Sequence, residues 1–135
     1  MNASSVTIYH HPTCGTSRNA LAMLRASGVE PVVIEYAKAG WEKTQLRQLL
    51  ARLGLSAGGL LRTKEKLARE MGLLEPGVTE EQILEAMVKH PLLVERPIVV
   101  SPRGAALCRP SERVFGLVDH PPREFVKENG ERVTP

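Results

Sequence analysis

The first third of the chain alternates between strand-like apolar runs and one helical pattern. Residues 6–9 form a short run of β-favouring side chains, and residues 31–36 form a second one. Between them, residues 16–27 carry apolar side chains at helical spacing, and Gly28 stands where that helix would end. The whole unit has the size of a parallel strand–helix–strand crossover, which is about thirty residues.

The middle of the chain carries helical patterns without strand-like runs. Thr79 followed by Gln82 predicts a capping box, in which each residue's side chain bonds the other's backbone N–H at the start of a helix. Leucines recur at helical spacing before it. We predict four helical segments here: residues 43–53, 56–62, 63–71 and 79–89.

A β-hairpin and a final helix follow. Residues 98–100 and 105–107 predict two short strands, and the Pro-Arg-Gly sequence at 102–104 predicts the tight turn between them. Residues 111–118 predict the helix, with Ser111 as its N-cap.

The order of these elements predicts an α/β fold, a thioredoxin-like mixed sheet with a helical insertion. We expect one domain over residues 1–118, with the insertion at about 42–90. The polar segment 119–135 begins with prolines and predicts a loosely held C-terminal extension.

Composition narrows the function classes. No apolar stretch approaches the ~20 residues of a membrane span, and residues 1–5 lack the layout of a secretion signal, so we expect a cytoplasmic protein with no membrane partner. Two cysteines are too few for a disulfide scaffold or a four-cysteine zinc site, so no metal is expected. The net charge of +3 is weak for a nucleic-acid partner, but it is compatible with an anionic substrate.

Cys14 is the main candidate for chemistry, because it lies between the first predicted strand and the first predicted helix. The unpaired N–H groups of a helix's first turn stabilise an anion, and the thiolate is the reactive form of cysteine. An ordinary thiol, with a pKa of ~8.5, is mostly protonated at neutral pH. The alternative is a packed structural cysteine, which the polar neighbours of Cys14 disfavour. His10 is a candidate partner for the thiolate or, alternatively, only shapes the loop.

The motif that starts at Cys14 is C-x-x-S and ends at Ser17, so it lacks a second thiol. A covalent adduct on Cys14 would therefore need an external thiol for its resolution. The Ser17 hydroxyl is a candidate hydrogen-bond donor to the sulfur. Cys108 either traps Cys14 as a disulfide or, as its strand position favours, serves as a small buried hydrophobe.

Three arginines lie at the boundaries of predicted elements: Arg62, Arg96 and Arg109. Any one of them alone is typical of a surface arginine. In the predicted fold, however, the chain near Arg96 and Arg109 approaches the Cys14 loop, where guanidinium groups would bind an oxyanion and lower the thiol pKa. The fold also favours a cis peptide bond before Pro97.

These segments together resemble one family. The sequence over residues 9–19 is similar to the active-site loop of the glutathione- and glutaredoxin-coupled arsenate reductases. Three further segments resemble that family's signatures in the same order and at similar spacing: residues 60–62, 95–100 and 107–112. The resemblance covers residues 5–118.

The resemblance implies the thioredoxin-like fold and the reduction of arsenate to arsenite. It implies glutathione as co-substrate, glutaredoxin as protein partner, and no bound cofactor. In the family pattern Cys14 matches the nucleophile that bonds arsenic, and His10 and Ser17 match residues that stabilise the thiolate. The positions that match oxyanion-binding arginines are Arg62, Arg96 and Arg109.

One residue departs from the family pattern, because His11 stands where the family usually has Asn. Two alternative functions stay open for this fold. One is a glutathione-dependent reductase of other thiol adducts, and the other is a non-catalytic regulatory module that binds a protein. The regulators usually carry C-x-x-C, which Ser17 disfavours, and the three arginines favour arsenate reduction.

Overall fold

A computed structural model describes residues 5–135, which divide into two units. The first unit contains the chain up to Glu35 together with Arg96–Pro135, and the second contains Tyr36–Glu95. Residues 1–4, on which the expectation of no secretion signal partly depends, lie outside the described residues. The domain boundary expected at residue 118 and the insertion expected at about 42–90 stay predictions.

A four-stranded mixed sheet forms the first unit, as the α/β prediction requires. The parallel neighbours β1 (Thr7–His10) and β2 (Val32–Glu35) are joined by helix α1 (Gly15–Ala26), which confirms the predicted crossover. On its other side β1 pairs antiparallel with β3 (Ile98–Ser101), and β3 forms a hairpin with β4 (Gly104–Leu107). The strand order is therefore β2-β1-β3-β4.

Helix α1 packs its apolar face against this sheet. Met23 and Leu24 are fully buried in the same cluster as Ile8 of β1 and Val99 of β3. Gly28 follows the helix with φ +80°, a left-handed conformation that glycine adopts without strain, so the predicted stop is confirmed. This packing fixes the N-terminus of α1 at the end of β1.

The second unit is helical within the described residues. Thr79 and Gln82 form the predicted capping box, with the Gln82 N–H donating to Thr79 Oγ1 at 3.1 Å and the Thr79 N–H donating to Gln82 Oε1 at 2.8 Å. None of the helices described for residues 5–135 has the length and apolar character of a membrane span. The helices are α2 (Tyr36–Ala39), α3 (Lys43–Leu53), α4 (Ala57–Leu60), α5 (Lys66–Glu70), α6 (Glu80–Lys89) and a 3₁₀ turn at Pro91–Leu93.

Helix α2 was not predicted, because its first residue, Tyr36, ends the β-favouring run of residues 31–36. The Tyr36 ring is buried beside Trp41, and the Tyr36 hydroxyl donates to the Val94 carbonyl at 2.9 Å. The residue that begins this helical turn thus makes both contacts, and the contact with Val94 joins residues far apart in sequence. Helix α5 is shorter than predicted, because the chain stays extended at Glu65 and the helix begins only after it.

The last helical segment differs from its prediction in kind. Residues Ser111–Leu117 form a 3₁₀ helix, and its N-cap is Pro110 rather than the predicted Ser111. The Arg113 N–H donates to the Pro110 carbonyl at 3.1 Å, so the turn already includes Ser111, which is buried inside it. Ser111 therefore cannot act as the cap.

The C-terminal segment is not loosely held, so that expectation was wrong. Strands β5 (Phe125–Val126) and β6 (Arg132–Val133) form an antiparallel hairpin, which we call the C-terminal hairpin. Val133 is only 8% exposed and belongs to the core cluster of the first unit, against which Phe125 also packs. Two apolar residues among many polar ones therefore anchor the segment, although its composition predicts the opposite.

We expect Val133→Ala to lower the free energy of unfolding by about 2 kcal/mol, because it removes two buried methyl groups and leaves a cavity. Urea unfolding followed by circular dichroism measures the change. Val126→Ala is the matched control, since Val126 is 48% exposed on the paired strand and its truncation should change stability little. Equal effects of the two substitutions would mean that Val133 does not anchor the hairpin.

Candidate active site

Cys14 lies at the predicted strand-to-helix turn, where it occupies the N-cap of α1. Its backbone is extended (φ −93°, ψ 119°), and its carbonyl accepts the first helical hydrogen bond from the Arg18 N–H at 2.9 Å. The Cys14 N–H donates back to the His11 carbonyl at 3.0 Å, which closes the loop between β1 and α1. The backbone N–H of Ser17, in the first turn of the helix, stabilises the charged form of the sulfur and lowers its pKa.

Two arginines at the ends of the β3–β4 hairpin approach this sulfur. Arg109 Nη1 lies 3.9 Å from Cys14 Sγ and also donates to the Arg96 carbonyl at 3.0 Å. The Arg96 side chain, in a residue only 7% exposed, is close enough for its positive charge to lower the pKa of the same sulfur. The predicted approach of these arginines is confirmed as geometry, while their role in binding substrate stays a prediction.

Prolines follow both of these arginines. The Arg96–Pro97 peptide bond is cis, as the fold favoured, and the Arg109–Pro110 bond is also cis, which was not predicted. Arg96 directly precedes β3 across Pro97, and Arg109 follows β4, so the β3–β4 hairpin brings its two ends together beside Cys14. Hairpin pairing thus joins two arginines that are distant in sequence.

The pKa of Cys14 lies below the ordinary value of a thiol. Burial alone would raise the pKa, because it disfavours the charged form. This effect is outweighed by the Ser17 N–H, by the hydrogen bonds from Arg109 and Arg96, and by the positive charge of Arg96. The site therefore stabilises the nucleophilic thiolate.

A hydrogen bond between the side chains of His10 and Ser17 holds the loop between β1 and α1. His10 Nδ1 lies 2.6 Å from Ser17 Oγ, and the His11 N–H donates to the same oxygen at 3.1 Å. Burial lowers the pKa of His10, although the Glu35 carboxylate partly opposes this, so the imidazole favours its neutral form. The structure thus bonds the Ser17 hydroxyl to the loop before Cys14, while the Ser17 N–H lowers the pKa of the sulfur. The role of both residues in stabilising the thiolate stays a prediction.

His11, the departure from the family pattern, forms a local turn. Its Nδ1 accepts a hydrogen bond from the Thr13 N–H at 3.3 Å and lies 2.8 Å from Thr13 Oγ1. The oxygen of an Asn side chain stands at the same number of bonds from Cβ as this nitrogen and makes the same kind of turn. The imidazole therefore supplies the acceptor that an amide would supply.

Arg62 belongs to the second unit, where it follows α4. Its Nη1 donates to Glu95 Oε1 at 2.7 Å, and its Nε lies 3.4 Å from Glu65 Oε1. The Arg62 N–H also donates to the Leu93 carbonyl at 2.7 Å, so backbone and side chain are both anchored within that unit. Its predicted role as an oxyanion ligand stays a prediction.

Cys108 is a buried hydrophobe, as favoured. It is fully buried, and burial raises its pKa to about 12. Both Cys14 and Cys108 are free thiols, so the alternative of a disulfide between them is not what the structure shows. Within residues 5–135, no three His, Cys, Asp or Glu side chains are grouped so as to hold a metal.

Sequence reasoning missed Glu128, whose carboxylate binds Arg18 of the active-site helix. The two residues are far apart in sequence, and Glu128 lies in a polar segment that carries no motif. Only the fold of the C-terminal hairpin reveals the contact.

A nucleophilic thiolate at a helix N-terminus, flanked by two guanidinium groups, can bind an oxyanion and attack its central atom. Together with the mixed sheet, this site defines a thioredoxin-like protein with one candidate nucleophilic cysteine. The model of the ArsC family matches residues 9–116, and the chain belongs to that family.

Similar proteins cover nearly the whole chain. An arsenate reductase of Synechocystis is 52% identical over 98% of this chain and 93% of its own length, and an arsenate reductase of Escherichia coli is 47% identical over 96% and 93%. Among solved structures, an arsenate reductase from Vibrio cholerae has a TM-score of 0.82 and 39% identity, and the match covers 87% of this chain and all of that one.

We expect iodoacetamide to label Cys14 and spare Cys108 in the folded protein, because only Cys14 is partly exposed and only its pKa is lowered. The rate should rise with pH through a midpoint below that of an ordinary thiol, since the thiolate is the reacting form. Mass spectrometry of the labelled peptides over a pH series measures both. A midpoint at or above that of free cysteine would contradict a stabilised thiolate.

Proposed function

We propose that this protein reduces arsenate to arsenite, with Cys14 as the nucleophile and glutathione and glutaredoxin as electron donors. The observation that carries the proposal is the position of Cys14 at the N-cap of α1, with its sulfur 3.9 Å from Arg109 Nη1. Membership of the ArsC family and the close relatives named arsenate reductase support it.

Arsenate binds first through its negative oxygens. Guanidinium groups suit this ligand, because each presents several N–H donors in one plane and stays charged at every relevant pH. We assign Arg96 and Arg109 to this step, since Arg109 lies 3.9 Å from the sulfur that must meet the arsenic and the positive charge of Arg96 lowers the pKa of that sulfur. Arg62 is proposed as a further ligand on the family resemblance.

The Cys14 thiolate then attacks arsenic. One sulfur–arsenic bond forms and one arsenic–oxygen bond breaks, and that oxygen takes up protons and leaves as water. The guanidinium groups stabilise the negative charge on the remaining oxygens. His10 and Ser17 act as positioning residues, because their hydrogen bonds fix the loop from which the sulfur projects.

A second thiol completes the reduction. Ser17 carries no thiol, and Cys108 is buried, so glutathione supplies the second sulfur. Its thiolate forms a second sulfur–arsenic bond as a second arsenic–oxygen bond breaks and another water leaves. A glutaredoxin thiolate then attacks the glutathione sulfur, so that a disulfide forms, the arsenic–glutathione bond breaks and its electron pair reduces As(V) to As(III). Water finally displaces arsenite from Cys14, which regains its thiol. Overall, two thiols give two electrons to arsenic and become a disulfide, with one water released. Such chemistry belongs in the reducing cytoplasm, where glutathione is abundant.

Cys14→Ser should abolish arsenate reduction while leaving the protein folded, because a hydroxyl is a far weaker nucleophile at neutral pH. The assay follows arsenite formation with glutathione, with and without glutaredoxin. Cys108→Ala is the matched control and should keep turnover, since Cys108 packs in the core away from solvent.

Three outcomes of this assay would decide against the proposal. Arsenate reduction that persists in Cys14→Ser would remove Cys14 from the mechanism. Reduction of glutathione mixed disulfides by the wild type without any arsenate reduction would favour the reductase of other thiol adducts. Neither activity, together with specific capture of a protein partner, would favour the regulatory module.

Arg96→Lys should lower kcat/KM for arsenate by roughly tenfold to hundredfold, because a hydrogen bond to a charged group contributes about 1.5–3 kcal/mol and lysine lacks the planar fork. Steady-state kinetics at a pH where Cys14 is ionised in both proteins isolates oxyanion binding. Arg103→Lys is the control, since Arg103 pairs with Asp119 at the exposed end of the β3–β4 hairpin. Unchanged kinetics in Arg96→Lys would exclude Arg96 from the oxyanion site.

A further inference from the structure

The C-terminal hairpin contacts the helix that carries Cys14. Arg18, in the first turn of α1, donates from Nε and Nη2 to the two carboxylate oxygens of Glu128 at 3.1 and 2.7 Å. The same guanidinium donates from Nη1 to the Pro12 carbonyl at 2.9 Å. One side chain therefore connects the loop that precedes Cys14 with the C-terminal hairpin.

Two further contacts place Glu128 against the start of α1. The Glu128 N–H donates to Asn19 Oδ1 at 3.0 Å. A Cβ atom on Gly15 would lie 3.0 Å from Glu128 Oε1, which is closer than such atoms normally approach. Glycine at the first position of the helix thus leaves the space that the carboxylate uses.

The hairpin itself is anchored on both sides of Glu128. Val133 is buried in the core, and Lys127 Nζ lies 2.8 Å from Glu112 Oε1 with the lysine side chain only 10% exposed. An exposed ion pair usually contributes little, because two long side chains must be immobilised and water screens the charges. Here the anchored backbone and the bidentate geometry restrict Glu128 in advance.

We propose that Arg18 and Glu128 are positioning residues that hold the loop preceding Cys14 and thereby keep its sulfur within reach of the groups that ionise it. The inference rests on the proposed role of Cys14 as nucleophile. The groups that stabilise the thiolate must stay close to the sulfur, because hydrogen bonds weaken steeply when donor and acceptor separate or tilt. Without Glu128, the Arg18 guanidinium loses its fixed partner, and the Pro12 carbonyl loses a fixed donor.

The direction in which the pKa of Cys14 moves distinguishes a positioning role of Glu128 from the simple effect of its charge. A carboxylate near a thiol raises the thiol pKa by repulsion, so removal of Glu128 as a charge alone would lower the pKa of Cys14. If Glu128 instead positions the loop, its removal raises the pKa of Cys14. Arg96, Arg109 and Arg18 interact with the thiol, and Glu128 bonds Arg18. The titratable His10 and His11 precede Cys14 in the chain, and the Glu35 carboxylate acts on His10.

The test is the rate of Cys14 alkylation by iodoacetamide as a function of pH, measured on the full-length protein without arsenate. The variants are Glu128→Ala and Arg18→Lys, which keeps the charge but cannot bond Glu128 and Pro12 through one planar fork. The matched control is Glu124→Ala, since Glu124 pairs with Arg132 at 2.7 Å in the same hairpin segment and is exposed. Circular dichroism checks that each variant is folded.

We expect the profiles of Glu128→Ala and Arg18→Lys to move to higher pH, with alkylation at neutral pH roughly threefold slower, while Glu124→Ala follows the wild type. The double variant should be no slower than either single one, because the two residues act as one unit. An unchanged profile or a move to lower pH in Glu128→Ala, or an equal move in Glu124→Ala, would overturn the inference.

The same alkylation profiles distinguish a failure of the positioning role from a failure of the proposed function. A wild-type thiol that does not ionise near neutral pH would contradict the function itself. A wild-type thiol that ionises normally for this site, with a profile unchanged in Glu128→Ala, would remove only the positioning role.

Discussion

Holding a partly buried sulfur in its charged form is the constraint on which the candidate site depends. Burial of Cys14 disfavours the thiolate, so the surrounding groups must stabilise the charge by more than burial costs. The Ser17 N–H, Arg109 and Arg96 supply that stabilisation from three separate segments of the first unit. The strand order β2-β1-β3-β4 makes this possible, because β1 delivers the Cys14 loop beside the ends of the β3–β4 hairpin.

The same arrangement gives the two cysteines opposite pKa shifts, lowered for Cys14 and raised for Cys108. Cys108 is adjacent to Arg109 in sequence, yet its sulfur points into the core and burial raises its pKa to about 12. The Arg109 N–H donates to the Leu107 carbonyl at 3.0 Å, so the chain turns at Cys108, and the thiol packs in the core while the guanidinium reaches Cys14. Reactivity here follows from local environment rather than from residue type.

Local patterns predicted most of the elements. The crossover, the β3–β4 hairpin, the stop at Gly28 and the capping box at Thr79 each depend on residues only a few positions apart, and all are present. The failures were the short helix at Tyr36, the cap at Ser111 and the packing of the C-terminal hairpin. The first and last of these involve contacts between residues distant in sequence, which propensity does not encode.

The sequence by itself determined Cys14 as the candidate nucleophile, the C-x-x-S motif without a second thiol, and the α/β crossover that puts Cys14 at a helix N-terminus. Only the tertiary structure decided which charges reach the sulfur. Arg96 and Arg109 meet it through strand pairing, and Glu128 reaches Arg18 through the anchored hairpin. The physical reason is that hydrogen bonds and charge interactions depend on distances in space, which residues far apart in the chain acquire only when the core packs.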